Sequence, residues 1–157
     1  MSRAALPVSI VIPTYRRGEV LLDTVRYLRT LEAPAAEILL LDQTEAHETA
    51  TEQRLRALHD AGHVRWVRLE APSITHAMNE GLALAANPVV LFLDDDIVPG
   101  TRLVEAHHEA QTSGAADIVA GQVLQPGEEP TLPAPEFRFT SSSRAWIDEL
   151  MGGNFSV

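Results

Sequence analysis

Apolar residues in this chain gather into short dense runs, and between the runs they recur at every third or fourth position. The first run, Val-Ser-Ile-Val-Ile at residues 8–12, predicts a parallel strand buried on both faces and ended by Pro13. From Gly18 and Glu19 the spacing changes. Val20, Leu21, Thr24, Val25, Leu28 and Leu31 fall on one face of a helix, which Ala33-Pro34 stops. Residues 38–41, Ile-Leu-Leu-Leu, predict a second buried strand ending at Asp42. Residues 47–61 read as a polar helix with Leu55 and Leu58 turned inward and Gly62 closing it. Val64 and Trp66 alternate with polar neighbours, the pattern of a half-exposed third strand. Ser73 is a fair N-cap for an alanine- and leucine-rich helix running to Ala86, broken by Asn87-Pro88. Val-Val-Leu-Phe-Leu at 89–93 is the most apolar strand and runs straight into Asp94; a helix over about 101–112 and a strand near 117–124 follow.

Strand and helix in alternation predict an α/β domain with an open, mostly parallel, Rossmann-like sheet flanked by helices. The character changes over residues 125–145, where prolines, a Glu-Glu pair and a serine run predict an irregular loop. Residues 146–157 regain an ordered pattern, and Gly-Gly-Asn-Phe-Ser-Val at the end reads as a strand in progress. The chain is therefore expected to be the front part of one larger domain, with a ligand-binding half at 1–124 and a further segment opening at 146.

Composition sharpens this picture in a few places. The 157 residues suffice for one domain with a real core, and 45% hydrophobic with 22% charged residues is an ordinary globular mix. Cysteine is absent, which removes disulfides, thiolate metal sites and cysteine nucleophiles. A net charge of −10 repels nucleic acid and anionic membranes, so a phosphate-bearing ligand needs local help from a metal, arginines or helix N-termini. The opening residues are too short and too soon interrupted by Pro7 for a signal peptide, and no apolar run has the length of a membrane span. The expected location is cytoplasmic, with membrane association only through parts outside this sequence.

In an open parallel sheet, ligands sit beyond the carboxyl ends of the strands. Three polar features stand at such ends: Thr14-Tyr15-Arg16-Arg17, Asp42, and Asp94-Asp95-Asp96. Adjacent carboxylates repel one another, and a hard cation such as Mg²⁺ or Mn²⁺ would offset that repulsion while bridging phosphate oxygens. Asp94 and Asp96, two apart on an extended chain, would point the same way. Tyr15 can stack on a nucleobase, Asp42 can accept from a base N–H, and Arg16 and Arg17 can reach a diphosphate. His76 and Asn79 share one helix face and are candidates to line the same pocket. His107 and His108 are adjacent rather than one turn apart, so they read as solvated helix histidines rather than as a metal pair.

In this order the motifs resemble glycosyltransferase family 2, whose catalytic domain has the GT-A fold. Residues 8–17 are similar to its opening strand and nucleotide loop, and residues 38–44 to its second strand with a base-contacting aspartate. Residues 79–83 resemble the tail of its Ala-Arg-Asn-x-Gly helix, 90–96 its strand with the Asp-x-Asp motif, and 152–156 its acceptor-side segment. The resemblance implies transfer of a sugar from a UDP-, GDP- or dTDP-sugar to a saccharide or lipid-linked acceptor hydroxyl, with inversion. It implies that Pro13, Thr14, Tyr15, Arg17, Asp42 and Asn79 hold the donor. It places Asp95 near the ribose or diphosphate, and makes Asp96, helped by Asp94, the ligand of Mg²⁺ or Mn²⁺. Two departures stand out. Met78 occupies the place of the family's helix arginine. The family's general base is a carboxylate after the Gly-Asn segment, so it is expected beyond Val157; Asp148 and Glu149 precede Gly152 and are not assigned that role. These residues alone are expected to bind donor weakly and to transfer poorly or not at all.

Three other readings compete. A haloacid-dehalogenase-type phosphatase would use Asp94 as nucleophile, but its motif normally opens the fold. A sugar-1-phosphate nucleotidyltransferase would need a glycine-rich loop where Pro13-Thr14-Tyr15 stands. A non-catalytic module would keep the fold as an interaction surface.

Overall fold

A computed structural model describes residues 4–130, 139–147 and 150–157. Strands and helices alternate as β1 (Leu6–Thr14), α1 (Gly18–Arg29), β2 (Ala35–Asp42), α2 (Thr49–Asp60), β3 (Arg65–Arg68), α3 (Ile74–Leu84), β4 (Val89–Leu93) and α4 (Leu103–Thr112). Two short strands follow, β5 (Val119–Ala120) and β6 (Asn154–Ser156). The sheet order is β3-β2-β1-β4-β6-β5. The first four strands run parallel. β6 runs antiparallel to both β4 and β5, wedged between them.

The period of two in a strand divides the core between the faces of the sheet. Val8, Ile10, Ile12, Ile38, Leu40, Val89, Leu91 and Leu93 meet α1, Leu55 of α2 and Val104 of α4 on one face. Val11, Leu39, Leu41, Val90, Phe92 and Phe155 meet Ala77 of α3 on the other. This is why the central runs carry no polar alternation: both faces are covered. Gly81 lets α3 come close to β1, because a Cβ there would overlap Val11 Cγ1.

Several expectations are corrected. Pro13 does not end the first strand; pairing continues to Thr14 opposite Asp42, and Pro13 lies within the β1–β2 register. Val20 is 42% exposed, and Leu22 takes its place on the buried side of α1. The third helix ends at Leu84 rather than Ala86. The strand expected near 117–124 shrinks to Val119–Ala120, flanked by exposed Ile118 and Leu124. Gly62 closes α2 as expected, with φ +70°. No helix among the described residues is long and apolar enough to cross a membrane. Part of the irregular loop at 125–145 lies outside the described residues, as do Asp148 and Glu149.

Candidate functional site

β2 and β3 lie to one side of β1 and β4 to the other, so the chain changes direction across the sheet between β1 and β4. The carboxyl ends of strands at such a switch point form a crevice. Thr14 and the acidic run occupy it. Thr14 Oγ1 donates to Asp95 Oδ2 at 2.6 Å, joining the ends of β1 and β4 across 81 residues of sequence. Arg17 reaches the same place: its Nη2 donates to Asp96 Oδ2 at 2.5 Å, and its Nε lies 3.6 Å from Asp95 Oδ1.

After Leu93 the chain turns at Asp95 and Asp96 instead of continuing extended, so the strand alternation expected to align Asp94 with Asp96 does not apply. Thr24 of α1 shapes this turn. Its hydroxyl donates to the Asp95 carbonyl at 2.9 Å and accepts from the Ile97 amide at 3.2 Å. Asp96 leans to Arg17, while Asp94 lies against β6, where a Cβ on Gly153 would overlap Asp94 Oδ2. The Asp94 amide donates to the Gly153 carbonyl at 3.3 Å. Burial, then the charges of Asp96 and Asp95, push the Asp94 carboxyl above its ordinary value. Burial also raises Asp95, against the opposing effects of Thr14 and Arg17.

The residues suit a hard divalent cation. Asp94 and Asp96 offer exposed carboxylate oxygens, and the Asp94 side chain accepts no hydrogen bond among the described residues. No cluster of three or more His, Asp or Glu ligands exists among the described residues, so further ligands would come from water and phosphate oxygens, as Mg²⁺ and Mn²⁺ favour.

The loop after β1 is built on an uncommon backbone. Arg16 has φ +57°, the left-handed region that a non-glycine residue seldom adopts. Its amide donates to Thr44 Oγ1 at 2.8 Å, and its guanidinium sits 4.9 Å from the centre of the Tyr15 ring. Asp42 stands at the end of β2 as expected, but its carboxylate is fully buried. Oδ1 accepts from the Thr44 amide at 2.9 Å; Oδ2 accepts from Trp66 Nε1 at 2.9 Å and meets His47 Nε2 at 2.5 Å. Burial pushes Asp42 upward, yet the donors from His47, Thr44 and Trp66 outweigh it and hold the carboxyl below the usual range.

Asn79 and His76 are exposed on α3, and Asn79 shares no hydrogen bond with the carboxylates among the described residues. The start of α3 is tied to the site edge, because Gln43 Oε1 accepts from the Ser73 amide. His107 is not solvated. It is buried between Ser156 Oγ, 2.8 Å from Nδ1, and Asn154 Oδ1, 2.9 Å from Nε2. Sequence reasoning missed the parts played by Thr44, His47, Trp66 and Gly153. Thr24 alone had a visible signal, a hydroxyl at an inward position of an apolar helix face.

Comparison with known proteins agrees with this arrangement. The profile described as Glycosyl transferase family 2 matches residues 9–152. Validoxylamine A glucosyltransferase of Streptomyces hygroscopicus subsp. jinggangensis (strain 5008) is 28% identical over 131 residues, 82% of this chain and 31% of that protein. The chain thus spans about a third of that relative's length. Among solved structures, the mannosyltransferase PcManGT from Pyrobaculum calidifontis, in complex with GDP-Man and Mn²⁺, superposes with a TM-score of 0.60 at 18% identity, covering 78% of this chain and 37% of that one. S. aureus TarS 1-349 in complex with UDP-GlcNAc gives 0.61 at 17% identity, covering 82% and 37%. These likenesses establish a GT-A-type fold, and the phosphatase and nucleotidyltransferase readings give way to a single assignment. On the match over residues 9–152, the chain belongs to glycosyl transferase family 2.

Proposed function

We propose that this chain carries the donor side of a metal-dependent sugar transferase that moves a glycosyl group from a nucleoside-diphosphate sugar to an acceptor hydroxyl with inversion. The observation that supports this reading best is the convergence of Thr14, Arg17, Asp94, Asp95 and Asp96 at the β1–β4 switch point. Pro13, Thr14 and Tyr15 lie along the nucleoside, and the Tyr15 ring is open enough to stack on a base. Arg17 supplies a guanidinium for the diphosphate, and Asp95 an acceptor for the ribose. Asn79 extends the pocket from α3. Asp96, assisted by Asp94, holds Mg²⁺ or Mn²⁺, which when bound neutralises charge on the leaving diphosphate. The acceptor oxygen forms its bond to the anomeric carbon as the bond to the diphosphate breaks. The resemblance gives the acceptor's proton to a carboxylate that follows the Gly152-Gly153-Asn154 segment in the family's order. A saccharide or lipid-linked hydroxyl fits the acceptor role.

Titration calorimetry with UDP and GDP, each with and without Mn²⁺, tests the reading. At least one nucleotide should bind, more tightly with the metal, and Asp96→Asn should remove most of the metal-dependent gain. If neither nucleotide binds under any condition, the surface is not a donor site.

A further inference from the structure

The carboxylate of Asp42 ends a parallel strand one position beyond the core, where the resemblance puts a direct contact to the nucleobase. Its surroundings point elsewhere. It is fully buried, and each oxygen already accepts from protein donors. A carboxylate only accepts, so His47 carries its proton on Nε2 here. The His47 side chain is itself 4% exposed. Trp66 brings a third element, β3, onto the same oxygen. Asp42 is 0% exposed, so a base N–H could reach it only after the side chains and loop that enclose it moved aside, at the cost of their own bonds to it.

The other oxygen leads toward the ligand side. Asp42 Oδ1 accepts from the Thr44 amide, and Thr44 Oγ1 in turn accepts from the Arg16 amide. Arg16 is the residue with φ +57°, the only described non-glycine residue with a positive φ. Such a backbone persists only where its surroundings over-determine it. Two further bonds serve the same junction: the Gln43 amide donates to the Thr14 carbonyl at 2.9 Å, and Arg68 Nη2 donates to the Thr44 carbonyl at 3.2 Å. The β2 end thus grips the loop that follows β1 from below.

We infer that Asp42 is a positioning residue for the nucleotide loop rather than the group that reads the base: anchored by Trp66 and His47, it fixes Thr44, and Thr44 holds Arg16 in the left-handed turn that presents Tyr15 and Arg17. This rests on the donor-site reading above. Base selectivity then belongs to the exposed atoms of the loop, and Asp42 acts on every nucleotide alike.

The test uses the chain with three substitutions, Asp42→Asn, Thr44→Val and their combination, and Trp66→Phe as a milder change. Thr44→Val keeps the side-chain shape and removes the hydroxyl that accepts from the Arg16 amide and also bonds Asp42. Hydrogen exchange of the Arg16 amide, followed by NMR without any ligand, should speed up about 5-fold or more in Thr44→Val and in Asp42→Asn. Affinities for UDP and GDP should fall by the same factor, about 3- to 10-fold, leaving their ratio unchanged. The double variant should lose less than the product of the single losses, since both act through one chain of bonds. Trp66→Phe should lie between wild type and Asp42→Asn. A changed UDP-to-GDP ratio in Asp42→Asn, with Thr44→Val at wild-type affinity, would overturn the inference in favour of direct base reading. Unchanged Arg16 exchange in Thr44→Val overturns it as well. If the wild type binds neither nucleotide yet Arg16 exchange responds as expected, the tether stands and the donor-site reading is what fails.

Discussion

Arg17 is half exposed, yet it holds two carboxylates of the acidic run, Asp96 closely and Asp95 at longer range. An exposed ion pair of this kind contributes only about 0–1 kcal/mol, so a divalent cation can displace it. Arg17→Ala should therefore raise the affinity for Mn²⁺ alone by about 2- to 5-fold while weakening UDP binding in the presence of Mn²⁺. Paired titrations, metal first and then nucleotide, check both directions; weaker metal binding in the variant would contradict this account. Gly153→Ala carries no charge change, but its methyl would press on Asp94. Mn²⁺-assisted nucleotide binding should drop severalfold, read by calorimetry against the metal-free arm. The acidic run itself was legible, because three carboxylates directly after five buried apolar residues have few structural explanations. Arg17 was legible as a neighbour at the same sheet edge, but its direct pairing with Asp96, 79 residues away, was not. Asp42 was legible as a position but not as an environment: nothing in the local sequence announces that Trp66 and His47 will enclose it.

Secondary elements were most legible where both faces are covered. β1, β2 and β4 announce themselves through apolar density, and α1 through its spacing. The sheet edge was not, because β5 has two residues and half-buried side chains that carry no pattern. α4 was placed within two residues, but the inward histidine on it was misread, its partners lying 47 and 49 positions away. There Gln111 Nε2 donates to Ser156 Oγ at 3.1 Å, and Asn154 Nδ2 donates to the Gln122 carbonyl at 3.0 Å. These directions leave Ser156 to donate to His107 Nδ1 and His107 Nε2–H to donate to Asn154, a neutral imidazole. Burial correspondingly holds His107 below its ordinary value, against the raising effect of Asn154. The unfolded chain then binds the proton more readily than the folded one. The contribution is fully present above the unfolded pKa of about 6.5 and is lost as pH falls from there through the lower folded value. Thermal unfolding followed from pH 7.5 to 5 should show a declining midpoint, and His107→Gln should flatten that decline while lowering the midpoint at pH 7.5. A parallel decline in both proteins would remove His107 from the explanation. On α3, Gly81→Val should destabilise by about 1–3 kcal/mol, since the helix must lift from Val11; chemical denaturation measures it.

At the scale of the molecule, Asp42 adds a second acid-dependent loss of stability below that of His107. Its folded carboxyl titrates below its ordinary value, so its stabilisation is present above the unfolded value of about 3.9 and disappears as pH falls through the folded one. Acid unfolding of Asp42→Asn should begin from a lower baseline stability and show a shallower slope below pH 4 than wild type, measured by circular dichroism. The sheet's connectivity has another consequence, one of timing. β1, β2 and β3 pair in chain order and β4 joins β1 across 81 residues, yet all four lie within the chain up to Leu93 and can assemble as it is made. β5 pairs only with β6 among the described strands, and β6 must first reach back from residue 154 to lie beside β4. That pairing waits until the chain has been made as far as Asn154. Two strands and the Gly153 support for Asp94 therefore arrive together and late, and a folding intermediate with four paired strands would carry an acidic run that is not yet a site.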